Sequence, residues 1–448
     1  MISLNLRQAC LWIHRYTGLA MAAFLIIASI TGALLAFHHE LDDVFNRKLT
    51  SIDAQNAPLL SIAELHDKVI TTYPEYNFSS MPTSVSPDKS VMFSVDRNRD
   101  KGKNQPKAPF QEVYVNPYDG NIIGTRDKEA WAWHNTMWKV FWLHRDLLLG
   151  DIGKWVLGIV SLVWTINCFI GFYLTFPRAV KSNKTKQASN KKRASLFKRW
   201  LPAWKIRRKN NLFKLNYDLH HAFGLWLWGM LFVIAWSSVG FNLQQVYRPV
   251  MQAIVGLEGR GEKQEKTKKP REKVGQTASA DRGARIGAAK GETLNNEASN
   301  VDAMDIVNKA NSIAYLSEQA DIAAKSKGMT VQQLLGVRWV EDEGQWQLRF
   351  KTDRDIGKKG GASSITVDAR TGSIERVNFG YQSSSFGSKA DQWLSTLHMG
   401  HISQGIGHLL YQIFLALIGL AVTILSITGV YLWWKGRQQR LKALQKGR

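Results

Sequence analysis

Cysteine is nearly missing from this chain: Cys10 and Cys168 are the only two in 448 residues. Cys10 precedes one long apolar stretch and Cys168 lies inside another, so no disulfide framework is expected outside a membrane. With no Cys-x-x-Cys-His run, a covalently attached c-type haem is excluded. Other chemistries are missing too. There is no Gly-x-Ser-x-Gly nucleophile elbow and no His-Glu-x-x-His zinc helix, which removes the common hydrolase readings. The glycines at Lys359-Gly360-Gly361, Gly405 and Gly407 lack the strand-to-helix setting of a dinucleotide site. Without a flavin or nicotinamide domain, any electrons handled by the chain come from a membrane quinol or a separate cytoplasmic donor.

Acidic residues are scarce in two particular places. The chain carries 59 Lys+Arg against 36 Asp+Glu, yet between Pro177 and Leu215 fourteen Lys/Arg stand with no Asp/Glu, and Lys435–Arg448 adds six more with none. Both runs abut apolar spans, so the positive-inside rule turns them to the cytoplasm. That puts both termini inside and leaves two external loops at about residues 40–150 and 242–406. No folded basic domain presents these charges, and a nucleic-acid partner is not expected.

Four apolar runs supply the spans, roughly Leu19–Phe37, Trp155–Phe176, Leu225–Phe241 and Leu409–Trp434. Each is near the roughly 20 residues that cross a hydrocarbon core of about 30 Å, and Trp and Tyr gather at their ends as at a membrane interface. Arg7 ahead of the first run suggests a signal peptide. The run is longer than an h-region of about 7–15 residues and carries His14-Arg15-Tyr16-Thr17-Gly18, so it reads as a retained anchor.

The predicted organisation follows from these spans. It comprises a cytoplasmic N-terminus and first membrane helix over 1–39, a periplasmic module over 40–130, an interfacial aromatic helix over 131–153 and a second membrane helix over 154–176. A basic cytoplasmic loop over 177–216 leads to a third membrane helix over 217–242 and a largely disordered periplasmic insertion over 243–300. A second module over 301–385, an interfacial helix and turn over 386–406, a fourth membrane helix over 407–434 and a basic cytoplasmic tail over 435–448 complete it.

Each module is expected to be small and α+β. In the first, Ile62, Leu65, Val69 and Ile70 recur at helical spacing over Ser61–Tyr73, followed by strands at Ser90–Val95 and Phe110–Val115 and a turn at Asn116–Gly120. The second predicts a helix near Val301–Tyr315, strands at Val337–Glu341 and Gln345–Phe350, and a hairpin at Ser364–Val377. Glu258–Asn300 is polar and without apolar periodicity, which predicts disorder.

Eleven histidines remain, and four recur in register. His14 and His220 are each followed by Gly four residues later and Leu five later. His144 and His398 each follow a Leu and precede a Gly by nine residues. Imidazoles at matching places on the spans predict an internally duplicated four-helix domain with a metal cofactor held on a pseudo-two-fold axis. Haem b needs one or two imidazoles on its iron and an apolar slot, and facing helices of a bundle supply such ligands.

The expected assignment is two bis-His haems: His14 with His220 near the cytoplasmic face, and His144 with His398 near the external face. Gly18 and Gly224 would clear room for the macrocycle. Capping or snorkelling is the plain alternative for any single interfacial histidine, but it does not account for four that match across a repeat. His38, His39, His401 and His408 are alternatives for the outer pair, with His38-His39-Glu40 ranked as a substrate-side cluster. His221 competes with His220, since adjacent helical residues point about 100° apart. His134 and His66 read as structural.

These residues, with Thr31-Gly32-Ala33-Leu34, Asn116-Pro117-Tyr118-Asp119-Gly120, Leu397-His398-Met399-Gly400 and Thr428-Gly429-Val430-Tyr431-Leu432, make the chain similar to the bacterial PepSY-associated transmembrane family, the iron-regulated membrane proteins. The resemblance covers nearly the whole chain except the insertion. At Asp368-Ala369-Arg370-Thr371-Gly372 the second module departs from the family's Asp-Pro-Tyr-Thr-Gly turn. The implied fold is membrane α-helical, with four transmembrane helices, internally duplicated, and two small α+β PepSY-like periplasmic modules in the bacterial inner membrane.

Members that are di-haem siderophore reductases resemble this layout. The resemblance therefore implies two b haems, a ferric siderophore as substrate, membrane lipid around the helices, and a quinol or separate cytoplasmic electron donor. Hard oxygen donors bind Fe(II) far more weakly than Fe(III), so reduction frees the metal for uptake. On this reading the aromatic stretch Trp131–Trp142 is a candidate floor for the siderophore. Two other functions fit the same residues: a non-catalytic PepSY membrane protein restraining a periplasmic peptidase, and a haem conduit to a periplasmic protein partner.

Overall fold

In the computed structural model the described residues are 6–96, 108–178, 195–207, 211–257, 305–357, 361–381, 385–402 and 405–446. The expected insertion Glu258–Asn300 lies outside them. Helix α1 (Leu6–Leu35) is followed by α2 (His38–Phe45) and α3 (Arg47–Thr50), then by α4 (Ile62–Thr72) and strands β1 (Ser80–Met81), β2 (Val91–Ser94), β3 (Glu112–Val115) and β4 (Ile122–Arg126). Next come α5 (Thr136–Asp146), α6 (Gly150–Thr175), α7 (Leu196–Trp200), α8 (Leu212–Trp226), α9 (Trp228–Asn242) and α10 (Gln244–Val255). The second half continues with α11 (Ser312–Lys325), β5 (Val331–Val340), β6 (Gln345–Thr352), β7 (Ser363–Asp368), β8 (Ile374–Asn378), α12 (Phe386–Met399) and α13 (Gly405–Lys446).

Helices α1, α6 and α13 are each long and apolar enough to cross a membrane. The third predicted span is not one straight helix: α8 and α9 form a pair bent by 71°. The break falls at Leu227, between Gly224 and Gly229, whose lack of a side chain weakens the helix. Trp228 is meanwhile tied to α6, its Nε1 donating to Cys168 O at 3.0 Å and its ring lying 5.1 Å from that of Phe172.

Small residues let the long helices approach closely. α1 packs along α13 and α6 along α9. A Cβ at Gly419 would stand 2.6 Å from Ser29 O and 3.0 Å from the Ala33 Cβ, so that crossing admits only glycine without backbone movement. Beside it the hydroxyls of Ser29 and Thr423 are hydrogen-bonded at 2.7 Å.

Outside the bundle, α4 opens with a capping box: Ser61 Oγ accepts from Glu64 N–H at 3.2 Å and Glu64 Oε2 accepts from Ser61 N–H at 2.8 Å. Strands β2-β3-β4 make one antiparallel sheet, and β1-β5-β6-β7-β8 make another. β1 comes from the first module and pairs with β5 of the second, Ser80 opposite Arg338 and Met81 opposite Val337. Leu65, Val69, Phe93 and Val113 from the first module share one apolar core with Leu316, Leu348, Phe350 and Ile365 from the second. The two modules are therefore joined.

The structure moves three elements from their expected places. The helix predicted near Val301–Tyr315 starts at Ser312. Val307 is buried and held in the sheet layer, its N–H donating to Ala369 O at 2.9 Å and its carbonyl accepting from Trp346 Nε1 at 3.0 Å. The aromatic stretch from Trp131 becomes helical only as a 3-10 turn at Trp133–Asn135 and then as α5. Residues 244–255, expected to begin the disordered insertion, form α10, with Tyr247 and Met251 buried and Tyr247 Oη donating to Asp391 Oδ1 at 2.7 Å.

Buried Arg126, at the end of β4, fastens the first module to the membrane-proximal helices. Its guanidinium donates twice to Asp42 of α2, both at 2.8 Å, to Asn135 Oδ1 at 2.9 Å and to His134 O at 2.9 Å. This junction sets the approach to α5, whose last turn carries His144.

Candidate functional site

Two pairs of imidazoles meet inside the helix bundle. The rings of His14 (α1) and His220 (α8) have centroids 6.2 Å apart and planes at 72°. Those of His144 (α5) and His398 (α12) have centroids 6.3 Å apart and planes at 70°. Two imidazoles sharing one metal ion at about 2 Å from each nitrogen have ring centres a little over 6 Å apart when the ion lies between them. Both pairs match that spacing.

The protein fixes which nitrogen each ring presents. His14 Nδ1 donates to Asn167 Oδ1 at 3.0 Å, and that amide is oriented by its Nδ2 donating to Thr17 Oγ1 and Val163 O. His144 Nδ1 donates to Ala28 O at 2.9 Å and lies 3.0 Å from Thr31 Oγ1. His220 Nδ1 donates to Leu425 O at 3.1 Å and lies 3.2 Å from Thr428 Oγ1.

His398 Nδ1 is 2.7 Å from Ser237 Oγ. The Ser237 hydroxyl gives its proton to Val233 O at 2.6 Å, so it accepts from the ring. In all four histidines the proton is thus on Nδ1, and Nε2 keeps a lone pair. That is the tautomer of a metal ligand whose other nitrogen is anchored by the surrounding protein.

Glycines lie close against three of the rings. A Cβ at Gly32 or Gly171 would come within 3.1 Å of the Cε1 of His144 or His14, and one at Gly429 within 3.3 Å of that of His220. Gly18 and Gly224, expected to clear space one turn after His14 and His220, do face open space, with nothing within 4 Å of an added Cβ. Among the described residues no group of three or more His, Cys, Asp or Glu could hold a bare metal ion. Two facing imidazoles would suit a metal whose other ligands come from a planar macrocycle.

Residues 11–436 match the PepSY-associated TM region. The chain belongs to that family. No curated protein matches it.

In this PepSY-associated chain the remaining histidines make other contacts. The His221 ring packs on Tyr217 of its own helix, 4.2 Å between centroids, while His220 faces His14. His38 touches His39 and Trp138, and Glu40 accepts from Gln412 Nε2 at 3.0 Å with His39 and His408 near enough to act on its charge. His408 Nδ1 is buried without a hydrogen-bond partner. His401 follows the left-handed Gly400 and donates its backbone N–H to Thr396 O. His134 serves through its carbonyl, which accepts from Arg126 and Asn46. His66 belongs to the module core, its Nε2 donating to Phe78 O at 2.6 Å, and burial holds its pKa below the ordinary value.

The aromatic stretch Trp131–Trp142 is organised around Lys139. Lys139 Nζ lies 4.7 Å from the Trp131 ring centre and 4.6 Å from that of Trp142, while Trp131 and Trp133 are left largely exposed. The residues that sequence reasoning missed are the acceptors of the Nδ1 protons. Asn167, Thr31, Ser237 and Thr428, all buried polar residues in apolar helices, were the signal available, because intramembrane polar groups need partners.

Proposed function

We propose that this PepSY-associated protein is a multi-pass inner-membrane reductase of ferric siderophores that holds two b haems, one between His14 and His220 and one between His144 and His398. The observation that carries the reading is the pairing of four Nδ1-anchored imidazoles as two facing couples at 6.2 and 6.3 Å. Haem supplies one-electron chemistry when bound. The chain's residues leave each Nε2 unprotonated to receive it, keep the rings in the neutral tautomer and surround them with apolar helix.

The placement of the two pairs supports a direction. The inner pair adjoins the basic segment before α8, where Arg207 is bonded through three nitrogens to buried Asp218. The outer pair lies on α5 and α12, the helices that border the two modules. A quinol or cytoplasmic donor gives electrons at the basic end, and Fe(III) in a periplasmic siderophore takes one at the module end, leaving Fe(II) weakly held by its oxygen donors.

The test is the optical spectrum of the purified protein. Sharp b-type bands on dithionite reduction, two haems per chain, and reoxidation by a ferric siderophore with Fe(II) trapped by a chelator are the expected results. A colourless preparation sinks the proposal. A coloured one that no ferric siderophore reoxidises points to a periplasmic protein acceptor.

A further inference from the structure

The end of α6 away from α5 carries a ring-pinned, basic segment. Phe176, just past the helix, stacks on Trp200 of α7 with centroids 4.7 Å apart and planes at 20°, and Trp200 Nε1 donates to Thr175 Oγ1 at 3.1 Å. The chain then enters a 3-10 turn, Leu201–Trp204, whose Trp204 ring lies 5.3 Å from that of Trp200. That turn packs against α8, the helix of His220. One tryptophan thus holds α7 at the mouth of an apolar, membrane-length helix.

The side chains α7 leaves uncovered are of two kinds. Leu196 is 61% exposed and Phe197 64%, and Leu201 is exposed as well. Lys198 and Arg199 stand exposed between them. Large apolar chains interleaved with cations at the end of a span suit the boundary between lipid headgroups and acyl chains. A nucleic acid or an acidic protein would engage the cations and leave Leu196 and Phe197 in water.

The cations gather from several segments. Arg199 Nη2 donates to the carbonyl of exposed Arg178, which lays one guanidinium on the backbone that carries the next. Arg7 of α1 donates to Leu174 O at 2.7 Å, in the last turn of α6, and Arg207 is held to Asp218 at 2.8 Å. Arg7, Arg178 and Arg207 all lie close enough to act on the Tyr217 hydroxyl. Asp218 offsets the charge of Arg207, whereas the carbonyls that meet Arg199 and Arg7 offset none. Residues 177–215 contain no Asp or Glu, and among the described residues no carboxylate pairs with Arg178, Lys198 or Arg199.

We propose that α7 and the end of α6 form a seat for an acidic phospholipid, its phosphate met by Arg178, Lys198 and Arg199 and its acyl chains by Leu196, Phe197 and Leu201. The inference goes beyond the reductase reading and does not depend on bound haem.

The test is native mass spectrometry of the full-length protein, released from detergent after titration with cardiolipin or with phosphatidylcholine. Cardiolipin should be retained at about tenfold lower concentration than phosphatidylcholine, and excess inorganic phosphate should not displace it. Lys198→Glu combined with Arg199→Glu, and separately Arg178→Gln combined with Lys198→Gln, should each weaken retention by about tenfold. Phe197→Ser should weaken it less, and Lys327→Glu on the second module should leave it unchanged. Equal retention of phosphatidylcholine, displacement by phosphate, or unchanged retention in both charge variants overturns the assignment. Loss of haem from those variants with cardiolipin still retained also overturns it, giving the cations to the carboxylates of the cofactor. A haem-free preparation that retains cardiolipin removes the reductase reading and leaves the lipid seat standing; a haem-loaded one that does not retain it does the reverse.

Discussion

Ser237 Oγ accepts the Nδ1 proton of His398, and Ser237 stands on α9 seventeen residues after His220. Thr31 stands seventeen residues after His14 and bonds His144. The α8–α9 pair and α1 therefore each carry one histidine of one imidazole couple and a hydroxyl that bonds the other couple.

Replacing that hydroxyl should be felt at the outer couple alone. In Ser237→Ala the His398 ring loses its 2.7 Å acceptor and keeps only the Ile234 carbonyl, and loss of such a partner costs about 10–100-fold in metal affinity. Haem transfer to apomyoglobin should accelerate for about half of the pigment. Thr31→Ala should have the smaller effect, because Ala28 O still accepts from His144 at 2.9 Å.

Removing a ligand is more severe. His144→Ala or His398→Ala should each leave the chain inserted with about one haem, and His14→Ala or His220→Ala should remove the other, by pyridine haemochrome assay. Four single variants that all retain two haems would exclude this pairing.

Two glycines separate crowding of a ligand from crowding of the slot. Gly32→Leu forces a side chain onto the His144 ring, 3.1 Å from where its Cβ would start, and should lower both helix-bundle stability and outer haem content. Gly18→Leu enters open space and improves helix propensity by somewhat under 1 kcal/mol. It should leave thermal stability of the apoprotein intact while lowering inner haem content.

Arg126 predicts a stability effect independent of any cofactor. Arg126→Met leaves Asp42 and Glu112 without the guanidinium that now lies 2.8 and 3.6 Å from them. Breaking a buried pair of this kind costs about 3–5 kcal/mol. Limited proteolysis should then cut between the first module and α5, with the haem spectrum retained.

The joined modules should weaken in mild acid. Burial, followed by the charge of Lys309, lowers the pKa of His66 in the folded state despite its bond to Phe78 O. A depressed histidine binds its proton more readily when unfolded, so its contribution is full above the unfolded value of about 6.5 and is lost as pH falls through the folded value. Urea midpoints should drop between pH 7.5 and pH 5.5, and His66→Gln should flatten that dependence. An equally steep fall in His66→Gln would assign the effect to another group.

The four paired histidines were legible because their type and spacing recur. Their acceptors were not: an amide serves His14 and a hydroxyl beside a carbonyl serves each of the other three, and the Ala28, Leu425 and Ile234 carbonyls leave no trace in residue identity. The bend at Leu227 was hidden because no proline marks it. α10 was missed because Pro249 interrupts a pattern that Val246, Val250 and Met251 otherwise begin. The strands of both sheets were close to their expected positions, yet β1 is too short to register as a strand and its partner lies far along the chain.

That two-residue strand has a consequence for biogenesis. Met81 closes an edge of a sheet whose other strands are all synthesised later, and Phe93 and Val113 belong to a core completed only by Leu316, Leu348 and Phe350. During synthesis the first module waits with part of its apolar face uncovered until the second emerges. Completion of this core is a late event with high contact order.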